Sequence, residues 1–272
     1  MKITFLGTAA AEGMPALFCN CEYCKEARKR GGKNIRTRSQ SLINNDLLID
    51  FCADTYMHSI KSNIDLSKID TLLVTHSHSD HFYPKGFESL QHSGKKITLI
   101  ANENIKKILA ETVISHEMSL DNFIIAEDYT PINLCKYTVT PMPAYHALEK
   151  EGEKAKIYLI SDGNKTLLYA HDTGKIYDES LEFMRKNNIH INFCTLDCTA
   201  AFFEGFYLSS HMNFEYCSFT KNLLIDNGIA DNTTVFYVNH FSHNARPLHE
   251  EMCIEGEKRG FGVSYDGLCV EF

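Results

Sequence analysis

Short apolar runs alternate with amphipathic stretches along the whole of this chain. Runs rich in β-branched and aromatic residues predict strands over 2–7, 41–44, 47–51, 70–75, 97–101, 136–141, 156–161, 166–170, 191–196, 234–239, 261–265 and 268–272. Apolar positions recurring at helical spacing predict helices near 22–30, 53–61, 84–92, 103–114, 178–187, 212–227 and 247–258. Three polar turns, Asn44-Asn45-Asp46, Gly163-Asn164 and Asp266-Gly267, predict hairpins between the strands they join. Strand-rich halves interleaved with helices fit an α/β architecture of two mixed sheets packed face to face, with helices outside. No linker rich in Pro, Gly or Ser divides the pattern, so a single domain over residues 1–272 is expected.

Composition narrows the function classes. Apolar content of 44% with 23% charged residues suits a soluble globule with a substantial core. No apolar run approaches the ~18 residues of a spanning helix. The chain starts directly as a strand, and Glu12 interrupts what could otherwise pass for a signal segment, so a cytoplasmic protein is expected. Ten cysteines fit a reducing compartment, and the seven outside the cluster described below read as buried small hydrophobes. A net charge of −8 argues against a general nucleic-acid binder, because phosphate recognition wants a basic footprint. One basic stretch, from Lys25 to Arg38, reads as a solvated helix and loop, with attraction of a small anionic substrate as the alternative. A homodimer is compatible with the chain.

The chemistry is concentrated in His76-Ser77-His78-Ser79-Asp80-His81, directly after the apolar run from Ile69 to Thr75. Three imidazoles and a carboxylate within six residues, just past a strand, point to a metal site. Burying such groups without a partner is expensive, and the added carboxylate suits manganese or iron as well as zinc. A second cluster, Cys19-Asn20-Cys21-Glu22-Tyr23-Cys24, places three soft thiolates in six residues. This zinc knuckle at 19–24 favours a closed structural zinc, since disulfides would leave an odd thiol. Redox-active or unliganded thiols are the alternative. His243, three residues beyond His240, is a candidate fourth ligand.

The HxHxDH pattern resembles the signature of the metallo-β-lactamase superfamily, whose αββα sandwich the resemblance implies here. His146, Asp172 and His240 each follow a predicted strand, in the order of that family's later ligands. By resemblance, His76, His78 and His146 hold one divalent ion, zinc or manganese. Asp80, His81 and His240 hold a second, and Asp172 bridges the two. Together with Gly7 to Pro15, the CxCxxC cluster and Asn239-His240-Phe241-Ser242-His243, the chain resembles the branch that contains the phosphoribosyl cyclic phosphate phosphodiesterases. That branch pattern places Cys19, Cys21, Cys24 and His243 on one structural zinc. It implies hydrolysis of a small, cyclic phosphodiester by a dinuclear metal-bound hydroxide, with Asp80 and Asp172 in catalytic roles.

His211 lies where the family places a substrate-contacting histidine, so it reads as a general acid, a phosphate contact or an ordinary surface residue. Its neighbours Ser210 and Asn213 depart from the branch pattern, as does Phe51-Cys52 after Asp50, which leaves the substrate pocket open to change. Asp50 reads either as an acid orienting the HSHSDH loop or as a strand-end turn residue. His58, His92, His116, His171, His190 and His249 carry no motif and read as structural or solvent-exposed, although His171 could line the cleft. The alternatives are a ribonuclease Z-like tRNA-processing endonuclease and a metal-binding protein resembling the B proteins of pyrroloquinoline quinone biosynthesis. Hydrolases of β-lactams or thioesters fit less well, since those branches lack the cysteine knuckle.

Overall fold

A computed structural model of the chain describes residues 1–112, 122–147, 152–203 and 210–272. The fourteen described strands form two seven-stranded sheets. The first runs β14 (Leu268–Glu271), β1 (Lys2–Gly7), β2 (Gln40–Ile43), β3 (Leu47–Ile49), β4 (Thr71–Leu73), β5 (Thr98–Ala101), β6 (Phe123–Ile125). The second runs β13 (Gly262–Val263), β12 (Val235–Asn239), β11 (Phe193–Asp197), β10 (Thr166–Ala170), β9 (Lys156–Ser161), β8 (Thr138–Pro143), β7 (Ile132–Asn133). Both sheets are antiparallel at one end and parallel at the other: β14 to β3 and β7 to β10 pair antiparallel, β3 to β6 and β10 to β13 parallel. The short strands β6 and β7 have little apolar periodicity of their own and lie outside the strands that the sequence pattern predicts.

Period-two alternation sorts the side chains into layers. Ile3, Phe5, Ile49, Leu73 and Ile100 of the first sheet meet Val139, Tyr158, Ile160, Tyr169 and Phe193 of the second. Leu48, Leu72 and Leu99 turn the other way, onto Phe87 of α3 (Phe87–Ser93) and Ile105 and Leu109 of α4 (Glu103–Thr112). On the far face of the second sheet, Leu168, Cys194, Leu196 and Val238 pack on α5 (Asp178–Lys186), α6 (Phe214–Asp226) and α7 (His249–Arg259) through Met184, Cys217 and Met252. This is the expected αββα sandwich. Two further helices, α1 (Glu22–Arg30) and α2 (Thr55–Lys61), follow the cysteine knuckle and β3. The predicted helix over 103–114 ends at Thr112 within the described residues, and positions 113 and 114, like His116, lie outside them. No helix among the described residues is long and apolar enough to cross a membrane.

Three expectations need correction. The turns at Asn44-Asn45-Asp46 and Gly163-Asn164 close the hairpins β2–β3 and β9–β10. Asp266-Gly267 does not close one: β13 stays on the second sheet and β14 joins the first, beside β1. Ser264 N donates to Val238 O of the second sheet, while Gly267, at φ 89°, donates its N–H to Phe5 O of the first. The Asp266 carboxylate anchors the crossing by accepting from Thr8 Oγ1 at 2.7 Å and Thr37 N at 2.7 Å. The basic stretch is the expected solvated helix and loop at Lys25, Arg28, Lys29, Arg30 and Lys33, which are exposed, but its end is structural. Arg36 is fully buried and donates to Thr8 Oγ1 and Ser264 O, Arg30 pairs with Glu26 and Glu250, and Arg38 pairs with Asp54. Of the seven cysteines outside the knuckle, Cys52, Cys194, Cys198 and Cys217 are buried as expected, but Cys253 is half-buried and Cys135 and Cys269 are exposed.

A buried histidine beneath the site gives the fold a measurable acid sensitivity. His58 Nδ1 stands 2.6 Å from Gln40 Oε1 and Nε2 2.7 Å from Thr37 Oγ1, while Gln40 Nε2 donates to Asp50 O. Burial pulls the His58 imidazole down to about 4. The unfolded chain therefore takes up this proton first, so the stabilisation is complete above about pH 6.5 and is lost as pH falls towards 4. At ~1.4 kcal/mol per pKa unit, the stability difference between the wild type and His58→Gln should shrink by roughly 3 kcal/mol between pH 7 and pH 4. Urea unfolding at a series of pH values measures it. A difference that stays constant across that range would contradict the assignment.

Candidate metal centre

Sheet topology brings the chemistry together. Parallel pairing sets Ile49 beside Leu73 in one sheet, and Ala170, Leu196 and Val238 side by side in the other. The residues just beyond these strand ends therefore share one edge of the sandwich, as in other α/β sheets. Lys156 N donates to Thr75 O and the Tyr158 hydroxyl to Val74 O, which ties the end of β4 to the second sheet at that edge. Asp50, Asp172 and His240 all adopt left-handed backbone conformations, at φ 67°, 49° and 65°. Non-glycine residues rarely sit there, and such strain concentrates at functional sites, where surrounding contacts hold it.

Two sets of donors face one another. In the first, His78 Nδ1 lies 3.0 Å from His76 Nε2 and 3.2 Å from His146 Nε2, and His76 Nε2 lies 3.3 Å from Asp172 Oδ2. In the second, His81 Nε2 lies 3.1 Å from His240 Nε2, 3.4 Å from Asp80 Oδ2 and 2.7 Å from Asp172 Oδ2. The same Asp172 oxygen belongs to both sets. Its other oxygen, Oδ1, is buried without a hydrogen bond, and lone pairs converge where ordinary packing would separate them. This donor chemistry fits divalent cations bound by imidazole and carboxylate.

The far ring nitrogens of His81, His240 and His146 are held from behind. His81 Nδ1 donates to Asp50 Oδ2 at 2.6 Å, while Asp50 Oδ1 accepts from Thr75 N and Thr75 Oγ1. Asp50 thus joins the end of β4 to His81, the contacts that an acid orienting this loop would make. His240 Nδ1 meets Thr199 Oγ1 at 2.7 Å, and that hydroxyl lies 3.2 Å from Asp197 Oδ2. His146 Nδ1 faces Ser210 O at 3.4 Å. Each partner presents the opposite nitrogen to the centre. Burial pushes His76 well below its usual value. Burial alone would raise Asp172 and Asp80, but His240 and His81 around the first, and His81 and His240 around the second, hold both well below the carboxylate range.

His211 lines the cleft in front of these residues, beside Glu12, Ser79, Thr199, Ser242 and Asn244, in a cavity of about 380 Å³. Its Nδ1 lies 3.0 Å from Asp197 Oδ2 and 3.2 Å from Asp172 Oδ1. Burial opposes the charged form, but Asp197, by charge and hydrogen bond, and Asp172 push it up to about 9. Asp197 is a residue of this cluster that sequence reasoning misses. Its one signal is its place at the end of β11, matching the strand-end positions of the other acids. His171 does not line the cleft: it is buried between Thr195 Oγ1 and Asn239 Nδ2. His58 and His249 are likewise buried, and His92 and His190 are exposed. Cys52, Asp54 and His58 also approach one another, but Asp54 is engaged by Arg38 and His58 by Gln40 and Thr37.

Away from the cleft, Cys19, Cys21, Cys24 and His243 converge with all ligand atoms within 4.8 Å of one another. Cys24 Sγ lies 3.5 Å from His243 Nδ1, Cys21 Sγ accepts from Cys24 N at the start of α1, and Arg28 donates to Cys19 O. Burial raises the Cys21 thiol, but the Cys24 N–H and His243 outweigh it and lower it to about 6, which favours a thiolate. Four such donors suit a closed tetrahedral zinc.

Comparison with known proteins bears on the fold and the family. A stretch of 128 residues is 30% identical to ribonuclease Z of Staphylococcus saprophyticus, covering 44% of this chain and 37% of that enzyme. The fold matches a diphosphatase of the PhnP family over 100% of this chain and 97% of that one, at 21% identity and a TM-score of 0.75. Zinc-bound PqqB from Methylobacterium extorquens matches over 100% of both chains, at 17% identity and a TM-score of 0.72. Human tRNase Z, short form, covers 100% of this chain and 99% of its own, at 13% identity and a TM-score of 0.69. The β-lactamase superfamily domain matches residues 45–215, from the hairpin before Asp50 to the start of α6. Since that match spans most of the chain and every strand-end donor except His240, the chain belongs to the metallo-β-lactamase superfamily.

Proposed function

We propose that the protein is a metal-dependent hydrolase of small phosphodiesters, cyclic ones among them, working with two divalent ions, zinc or manganese. The observation that carries this reading is the pair of donor sets sharing Asp172 Oδ2. His76, His78 and His146 would hold one ion, Asp80, His81 and His240 the other, and Asp172 both. Bound there, the ions would supply Lewis acidity to water and to a phosphoryl oxygen. Asp50 and Thr199 fix the ring orientations of His81 and His240. The knuckle would carry a separate, structural zinc.

Departure of the alkoxide needs a proton, and His211 is placed to give it. Asp197 accepts from Nδ1 and so orients the ring where it lines the cleft. His211→Ala should lower kcat by roughly 10²–10⁴-fold on alkyl phosphodiesters and far less on p-nitrophenyl esters, whose leaving group needs no proton. Equal losses on both substrates would assign His211 to phosphate binding instead.

The stretch shared with ribonuclease Z supports a second reading, endonucleolytic processing of tRNA. Net charge and the cleft favour the small substrate: the formal charge is −8, and Glu12 stands at the cleft beside Ser242 and Asn244. Metal-reconstituted protein assayed against bis-p-nitrophenyl phosphate, cyclic nucleotides, precursor tRNA and thioesters separates the readings. Turnover of the phosphodiesters without tRNA cleavage is expected. Thioester turnover alone would overturn the proposal.

A further inference from the structure

We infer that Glu153 is a positioning residue for one half of the centre, acting on His76 and His78 through the Ser77 between them. This rests on the dinuclear reading above. Glu153 is buried and lies outside the cleft, on the chain leading into β9. Its Oε1 accepts from Ser77 N at 3.0 Å and from Asn102 Nδ2 at 2.7 Å. Its Oε2 accepts from the Ser77 hydroxyl and from Asn104 Nδ2 at 2.9 Å. Asn102 is itself fixed, since its Oδ1 accepts from Ile105 N at the start of α4 and its Nδ2 also reaches Lys154 O. The bracket thus ties three segments to the peptide between two proposed ligands: the end of β5, the first turn of α4 and the lead-in to β9.

The chemistry of the bracket suits a carboxylate. The Ser77 N–H and the two asparagine Nδ2 groups can only donate, and the two acid oxygens take these three together with the Ser77 hydroxyl. A glutamine has nearly the same shape but turns one acceptor into a donor, setting an N–H₂ against Asn104 Nδ2 or against Ser77 N. Relieving that clash moves Ser77, and with it the two rings on either side. The other donor set has holds of its own, Asp50 on His81 and Thr199 on His240, beside the link from His81 N to His78 O. Glu153 therefore acts chiefly on one ion.

Calorimetric titration with Zn²⁺ of protein that keeps its knuckle zinc but is stripped of ions at the strand ends, supported by the visible spectrum of the Co²⁺ form, tests this. His146→Ala identifies the binding step that depends on the first donor set. Glu153→Gln should weaken that same step by about 10–100-fold, the usual cost of losing a partner behind a ligand, and leave the other active-site step within about twofold. Asn104→Ala, which removes one donor and admits water, should weaken the same step less. Its effect should be smaller still in the Glu153→Gln background, because both act on one bracket. Asn104→Ala alone decides the matter if Glu153→Gln does not fold. Equal weakening of both steps, or a lowered Tm of the stripped protein with both affinities intact, overturns the proposal and leaves the dinuclear reading standing. A wild-type protein that binds no ion beyond the knuckle zinc overturns the reading, and the proposal with it.

Discussion

Asp172→Ala should empty both halves of the centre together, while substitution of any histidine in either set should chiefly affect its own half. The reason is geometric: Asp172 Oδ2 lies 3.3 Å from His76 Nε2 and 2.7 Å from His81 Nε2, so one oxygen faces both sets of donors. Losing an outer partner of a ligand typically costs 10–100-fold in affinity, and losing a shared ligand should cost each ion more than ~100-fold. Asp172→Asn refines the point. The amide keeps the size but not the charge that draws His81 and His240 towards their protonated forms. Metal content after dialysis, together with hydrolysis under saturating metal, measures the effect. Retention of one ion at full occupancy in Asp172→Ala would show that the carboxylate serves a single ion, and the bridge would have to be abandoned.

The second large effect belongs to the knuckle. Cys21→Ser should remove the structural zinc and lower thermal stability sharply, while the strand-end donors still take up their ions in whatever fraction folds. Structural zinc contributes apparent binding energies of about 10–16 kcal/mol in small zinc domains, and that energy is coupled to folding. Here the ion would join the loop before α1 to His243, at the far end of the sequence. His243 follows Ser242, whose hydroxyl donates to Glu12 at the cleft, so the loss should also loosen the cleft wall. Differential scanning calorimetry beside zinc analysis checks this. An unchanged Tm, or a disulfide found in reduced and zinc-supplied protein, would refute it.

Local chemistry makes much of this protein legible in its amino-acid order. Strong periodicity places the long strands and helices, because burial between two sheets or under a helix imposes a period of two or 3.6 on the residues themselves. The compact HxHxDH and CxCxxC clusters are readable for a related reason: few environments tolerate so many ligands in so few residues. Even the dispersed His146, Asp172 and His240 can be found, since each stands directly after a strand and strand ends share an edge.

What sequence could not decide was everything that depends on which distant segment arrives next to which. Asp266-Gly267 announces a reversal, but only Thr8, Thr37 and Phe5 pull that turn across to the other sheet. Arg36 looks like one more solvated cation in a basic run. Its burial follows from the Thr8 hydroxyl and the Ser264 carbonyl, 28 and 228 residues away. Asp197 and Glu153 are single acids in ordinary stretches, and their roles exist only because His211 and Ser77 are delivered to them. The chain by itself therefore determined its layers, its candidate ligands and its family pattern. Tertiary structure alone decided the sheet crossing, the buried cation and the carboxylates that hold the site from behind, because hydrogen bonds between remote segments leave no periodic trace in sequence.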